Sequence, residues 1–320
     1  MSEGVLNTTD GRETEALMRG ELALGDQALA GVTPVLSHLL TSAGHGLVNE
    51  DIVARIRGML GDLADQLLRA EVAALGKHGH PVPSEERADR LAGRLAENGI
   101  VLGYCYSVAI EALVTEDLEQ RTGIDQVLSP LMQELIASDD AATADLAMAA
   151  MAAQARFVQT QRRMSLPLTE VPADLFHELV KLWSNFARDI DPATRSQIEA
   201  MLRANHDETS SRHGLLTRLV SRLNSGALVA LAVEHGGFAL FATGLASMAR
   251  QPRELAVLSC HPRQQARLAL TLRAAGMKPA EIAQQLLVIQ PDSALPEGFA
   301  EIGSDQAREM LDSSALGSGQ

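Results

Sequence analysis

Cysteine is nearly absent from this chain. Among 320 residues there are two, Cys105 and Cys260. Two thiols exclude a disulfide framework and a four-thiolate zinc site. Lysine is almost as scarce: of 27 basic residues, only Lys77, Lys181 and Lys278 are not arginine. Aromatic residues make up 3 % of the chain. With them go most of the aromatic and β-branched alternations from which strands are built. Basic charge as a whole is in deficit, leaving a formal net charge of −14. That balance argues against non-specific nucleic-acid binding, which needs a basic surface.

No long apolar run stands uninterrupted. The best stretch, Gly226 to Ala249, is broken by Glu234, His235, Gly236 and Gly237. It reads as two short buried helices with a glycine turn rather than as a membrane span of about 20 apolar residues. Gly99 to Val114 is shorter and carries Glu111. The N-terminal residues MSEGVLNTTDGRETEALM lack a basic segment followed by an apolar one, so no secretory signal is expected there. The expectation is a cytoplasmic protein with reduced thiols, no membrane span and no nucleic-acid partner.

What the chain does have is hydrophobic residues, 46 % of the total, arranged with helical period. Proline recurs where helices begin: Pro34, Pro130, Pro172, Pro192, Pro252, Pro262 and Pro279 each precede such a pattern. At the first helical position its missing N–H costs nothing. Asn49 can cap a helix whose inner stripe is Ile52, Ile56, Met59, Leu60, Leu63, Leu67 and Ala74. Leu175, Phe176, Leu179, Val180, Trp183 and Phe186 form a second stripe. Leu146, Ala150, Ala153, Phe157 and Met164 mark a long helix from about Asp140 to Arg163. From Ala137 to Ala155, 10 residues are alanine, which favours helix and close packing.

The fold class is therefore all-α, an irregular helical bundle or HEAT-like array in two consecutive sets. Residues 1–13 read as a flexible N-terminus and 14–163 as the first helical set. Residues 164–172, with prolines at 167 and 172, read as a connector. Residues 173–289 form the second set. Residues 290–320 carry six acids against the single base Arg308 and end in Ser, Gly and Gln. They read as an acidic, mostly disordered tail, with a docked helix over Glu309 to Leu316 as the alternative.

Chemistry-bearing motifs are few. There is no glycine-rich phosphate loop, nucleophile elbow, His-Glu-x-x-His or calcium loop. His78 and His80 are two apart in a loop, without the further ligands a zinc site needs. No metal and no cofactor are expected. Asp174 and His177 share a helix face. His206 and His213 are separated by a Thr-Ser-Ser run that starts a new helix. Cys260 precedes His261 and Pro262, so a helix N-terminus and an imidazole could both lower its pKa. It is the candidate reactive thiol.

Charge gives the leading site. From Arg203 to Arg273 nine arginines face four acids, a local charge of +5 in an acidic protein. On a helix starting at Pro262, Leu268, Leu272 and Ala275 fall together. Arg263, Arg267 and Arg273 fall opposite, with Leu270 among them. Such a face suits an acidic protein segment.

Residues Gln154 to His177, Phe238 to Phe241, Pro252 to Leu255, Leu272 to Met277 and Glu281 to Gln284 together resemble an uncharacterised bacterial family of all-helical, HEAT-like proteins. The likeness covers about residues 150–290. It implies a cytoplasmic helical array and no particular activity, because none is assigned to that family. The functional expectation is a non-enzymatic protein-interaction or regulatory module. The alternative is an enzyme or sensor with a small-molecule pocket between the two helical sets.

Overall fold

The computed structural model describes residues 3–41, 50–75, 84–314 and 316. These residues contain fourteen α-helices, a few short 3-10 turns and no strand. In chain order the helices are α1 (Glu3–Thr41), α2 (Glu50–Leu75), α3 (Glu85–Ala96), α4 (Gly99–Thr122), α5 (Pro130–Ile136), α6 (Ala141–Arg162) and α7 (Ala173–Phe186). There follow α8 (Pro192–Ala204), α9 (Arg212–Arg222), α10 (Val233–Ala249), α11 (Arg253–Ser259), α12 (Gln265–Ala274), α13 (Pro279–Ile289) and α14 (Ser304–Asp312).

The prolines act largely as expected. Pro130, Pro192 and Pro279 open α5, α8 and α13, while Pro172 and Pro252 stand one residue earlier, at the N-caps of α7 and α11. Pro262 opens only a three-residue 3-10 turn. Pro34 lies inside α1, which begins at Glu3, so residues 3–13 belong to a helix and not to a loose end. Asn49, His78 and His80 lie outside the described residues.

The chain divides into two compact units, and neither is a consecutive set. One comprises residues 1–32, 110–151 and 216–320; the other comprises 33–109 and 152–215. The expected boundary at 164–172 is a break in helix, not in packing. Leu166 and Val171 are buried there. The Leu166 N–H donates to Asp62 Oδ2 at 2.9 Å, and the Leu168 N–H donates to Gln66 Oε1 at 2.8 Å. Two prolines stop a helix, but the chain between them is stitched to α2.

In the first unit the core gathers on α10 and α12. From Gly236 to Ala246 every residue of α10 is buried, and so is nearly all of α12. The glycine turn stands where the sequence put it. Gly237 has φ 69° and ψ 162°, and a Cβ there would approach Ser129 Cβ to 2.8 Å. The Ser129 hydroxyl donates to the Gly236 carbonyl and accepts from the Met132 N–H, so one side chain pins the turn and caps α5. Beside it runs a buried ion pair. Arg253 donates to both oxygens of Glu111 at 2.7 and 2.6 Å, and its Nε–H donates to the Thr243 hydroxyl.

The acidic C-terminal segment is ordered where it is described. Phe299, Ile302, Ala307, Met310 and Leu311 are buried, and α14 packs on α12. Thr14 donates to the Glu297 carbonyl, and Asp26 accepts from Arg267 and from the Leu316 N–H. The expectation of a mostly disordered tail is corrected: its apolar residues recur at helical spacing beneath an acidic outer face.

In the second unit, α2 packs against α3 and α8, and α7 packs against both α3 and α8. Its core holds Ile56, Met59, Leu63, Leu67, Leu91, Leu95, Phe176, Leu179 and Trp183. One described helix, α4, is long and apolar enough to cross a membrane, which the shorter apolar run read from sequence did not suggest. Most of that apolar window is buried inside the protein.

Candidate functional site

The site drawn from the sequence is not assembled by the structure. Arg263 is exposed, but Arg267 is 1 % exposed and Leu270 fully buried. Arg267 pairs with the buried Asp26 and donates to the Ser314 hydroxyl. Arg273 is half-buried and donates to the carbonyls of Ile302 and Met277. The helical wheel placed these arginines opposite a buried stripe, but α14 covers that side, so α12 is buried nearly all round. On this helix Arg267 and Arg273 hold the protein's own C-terminal segment, at the Ser314 hydroxyl and the Ile302 carbonyl.

Cys260 is likewise corrected. It caps the C-terminus of α11 rather than starting a helix, and its thiol donates to the Ala256 carbonyl at 3.5 Å. Burial pushes it up to about 12. Burial does the same to Cys105. Neither thiol has the depressed pKa or exposure that nucleophilic chemistry asks for.

His177 and His206 serve local packing. His177 Nδ1 lies 2.7 Å from the Ala173 carbonyl of its own helix. His206 Nε2 lies 2.9 Å from the Val171 carbonyl, and its ring stacks on Phe176 with centroids 4.1 Å apart. A 3-10 turn at Glu208–Ser210 separates His206 from His213 in α9, as the Thr-Ser-Ser run implied. Among the described residues no group of three or more His, Cys, Asp or Glu is placed to hold a metal ion.

A different set of residues forms a cleft within the second unit, between α3 and α7. Ser84 caps α3, its hydroxyl accepting from the Arg87 N–H, and Glu85 and Glu86 occupy the favourable first turn. Leu91 and Leu95 face the core. Arg90, Gly93, Arg94 and Glu97 then fall on one outer face at the i, i+3, i+4, i+7 spacing. α7 buries Leu175, Phe176, Leu179, Val180 and Trp183, which turns Leu182, Asn185 and Phe186 toward the same space. With Asn98 and Arg188 these residues line a cavity of about 680 Å³.

Both ends of the cleft are cross-braced. At one end Arg87 donates to Asp189 at 3.0 Å and to Glu71 at 3.1 Å, and its guanidinium lies 5.1 Å from the Phe186 ring centre. Glu71 is buried and also accepts from the Trp183 indole N–H at 3.1 Å. The Arg87 hydrogen bond holds Asp189 below the usual carboxylate range, burial opposing it more weakly. At the other end Asn98 donates to Glu178 at 3.0 Å and accepts from the N–H groups of Ile100 and Val101, capping α4.

The rim is cationic. Arg90 pairs with Glu86 and Arg94 with Glu97, both exposed pairs of the kind worth at most about 1 kcal/mol. Arg188 donates to Asn185 at 3.5 Å. Such guanidinium groups can exchange an intramolecular carboxylate for an external one at little cost. The lining carries no thiol, hydroxyl or imidazole. Three arginines against the single Glu97, beside the apolar surfaces of Leu182 and Phe186, suit holding an anion. The signal in the sequence was the run of Arg87, Arg90, Leu91, Arg94 and Leu95, an amphipathic helix; that α7 lies beside it is a long-range fact no local pattern states.

No family model, curated protein or solved structure matches the chain.

Proposed function

We propose that the protein is a non-enzymatic interaction module of the cytoplasm that binds an acidic segment of a partner protein in the cleft between α3 and α7. The observation that carries this reading is the set of three arginines, Arg90, Arg94 and Arg188, against the single Glu97, beside the apolar surfaces of Leu182 and Phe186, in a protein otherwise rich in acid. Guanidinium groups meet carboxylates with two parallel hydrogen bonds, which suits recognition as well as attraction. The likeness to an uncharacterised family of HEAT-like proteins belongs with this reading, because helix arrays present grooves to extended partners.

A fluorescein-labelled peptide of alternating Glu and Leu tests it by anisotropy. The full chain should bind the peptide, and the triple variant Arg90→Glu, Arg94→Glu, Arg188→Glu should bind at least roughly tenfold more weakly. The variant should keep its helix signal, since exposed charges add little to stability. Binding should also weaken as salt shortens electrostatic range to about 8 Å at physiological ionic strength. A folded variant with unchanged affinity would overturn the reading.

The cavity volume favours one alternative, a small organic anion as a sensed ligand, since small-molecule pockets span roughly 300–1,000 Å³. Such a ligand would bind without any peptide context.

A further inference from the structure

We infer, resting on the reading above, that the acidic segment is anchored by one bulky apolar side chain, which enters the cleft over Gly93 between Leu182 and Phe186 while flanking acids meet Arg90, Arg94 and Arg188. Gly93 is the first ground. It stands inside α3, where glycine weakens a helix relative to alanine. Its backbone conformation does not demand glycine, and a Cβ built on it would meet nothing within 4 Å. Other helix glycines in the chain are open too, Gly61 and Gly103 among them. What distinguishes Gly93 is position: it lies in the cleft wall between the two arginines of α3. A missing side chain there leaves room that the fold itself does not fill.

The floor is the second ground. Leu182 and Phe186 are half-buried, so each keeps apolar surface open to the cavity. Phe186 is held by Arg87, itself fixed by Glu71 and Asp189, so the floor is formed before any ligand arrives. A preformed apolar pocket inside a charged rim is the usual setting of a dominant anchor residue. Length is the third ground. The braces at Arg87 and Asn98 stand near the two ends of α3, whose residues 87–96 rise roughly 14 Å, a length that about four or five extended residues would span. An anchor with one acid on either side fits that length.

Two peptides decide it, acetyl-Glu-Ala-Trp-Ala-Glu-amide and the same peptide with Ala in place of Trp. They are titrated by calorimetry into the full chain, into Gly93→Leu and into the triple arginine variant. The unaltered chain should prefer the Trp peptide by about tenfold or more, the scale of burying one large aromatic side chain. Gly93→Leu fills the pocket from inside, so this preference should shrink to about twofold. Thermal melting of Gly93→Leu should be unchanged or raised, since leucine favours helix over glycine. If Gly93→Leu disturbs the fold, Leu182→Gln serves instead, because it makes the floor polar and should also abolish the preference.

Equal affinity of the unaltered chain for both peptides would overturn the anchor. So would a folded Gly93→Leu that keeps the full preference. If both peptides bind equally and the arginine variant binds neither, the acidic-segment reading survives and only the anchor falls. If the folded, unaltered chain binds neither peptide, both fall. Binding of N-acetyltryptophan as tight as that of the Trp peptide would replace the segment by a small organic anion.

Discussion

At the scale of single residues, the interior of this protein is unusually dependent on arginine. Arg253, Arg267 and Arg212 are all buried, and each meets a polar partner within its own unit: Glu111, Asp26 and Gln154. A sequence counts such residues as surface charge, which is why the arginine excess between 203 and 273 read as an exposed face. Nothing local distinguishes Arg267, which is buried, from Arg263, which is not; the difference is whether a carboxylate arrives from elsewhere in the chain. The Glu111–Arg253 pair shows what is at stake. Both side chains are at least nine-tenths buried and joined by two short hydrogen bonds. Removing one partner strands the other charge without water. Glu111→Ala should therefore cost roughly 3–5 kcal/mol, read from urea denaturation. The double variant Glu111→Leu, Arg253→Met should recover most of that loss, because replacing a buried pair by apolar groups of similar size is often neutral. A loss below about 1 kcal/mol in the single variant would mean that water reaches the pair.

At the scale of elements, the sequence was most legible where a pattern is local. The stripe from Ile52 to Leu67 is buried as read, and α6 matches the expected long helix to within a residue at each end. Gly237 turns where the apolar run was expected to break. The C-terminal segment was misread for a physical reason. Composition averages over all faces of a helix, while folding needs only one apolar face. In α14 that face is Ala307, Met310 and Leu311, and the six acids of residues 290–320 hid it. Met310 is 1 % exposed, in a helix that packs on α12. Met310→Ala should cost about 2–5 kcal/mol, the range for truncating a buried side chain and leaving a cavity. A disordered tail would lose almost nothing, and a midpoint in urea indistinguishable from the unaltered chain would restore that reading.

At the scale of the whole molecule, what the sequence hid is how the helices are shared. Local signals divide a chain where helices stop, so the prolines at 167 and 172 suggested two consecutive sets. Packing divides it elsewhere, and four helices, α1, α4, α6 and α9, have residues in both compact units. Each boundary therefore falls inside a continuous ladder of backbone hydrogen bonds. Melting one unit alone would cut these helices and leave new ends with unpaired carbonyl or N–H groups. Helix formation is cooperative, so a shortened stub is less stable per residue than the whole. The two units should consequently unfold together. Trp183 makes this measurable, because it is the only tryptophan and sits fully buried in the second unit. Glu111 belongs to the first unit. In Glu111→Ala, the midpoint of Trp183 fluorescence should shift by the same amount as the midpoint of the helix signal, on the order of 1 M urea. Coincident curves from the two probes are the mark of a single cooperative transition. If Trp183 keeps its original midpoint while the helix signal splits into two steps, the units fold independently and helix continuity does not couple them.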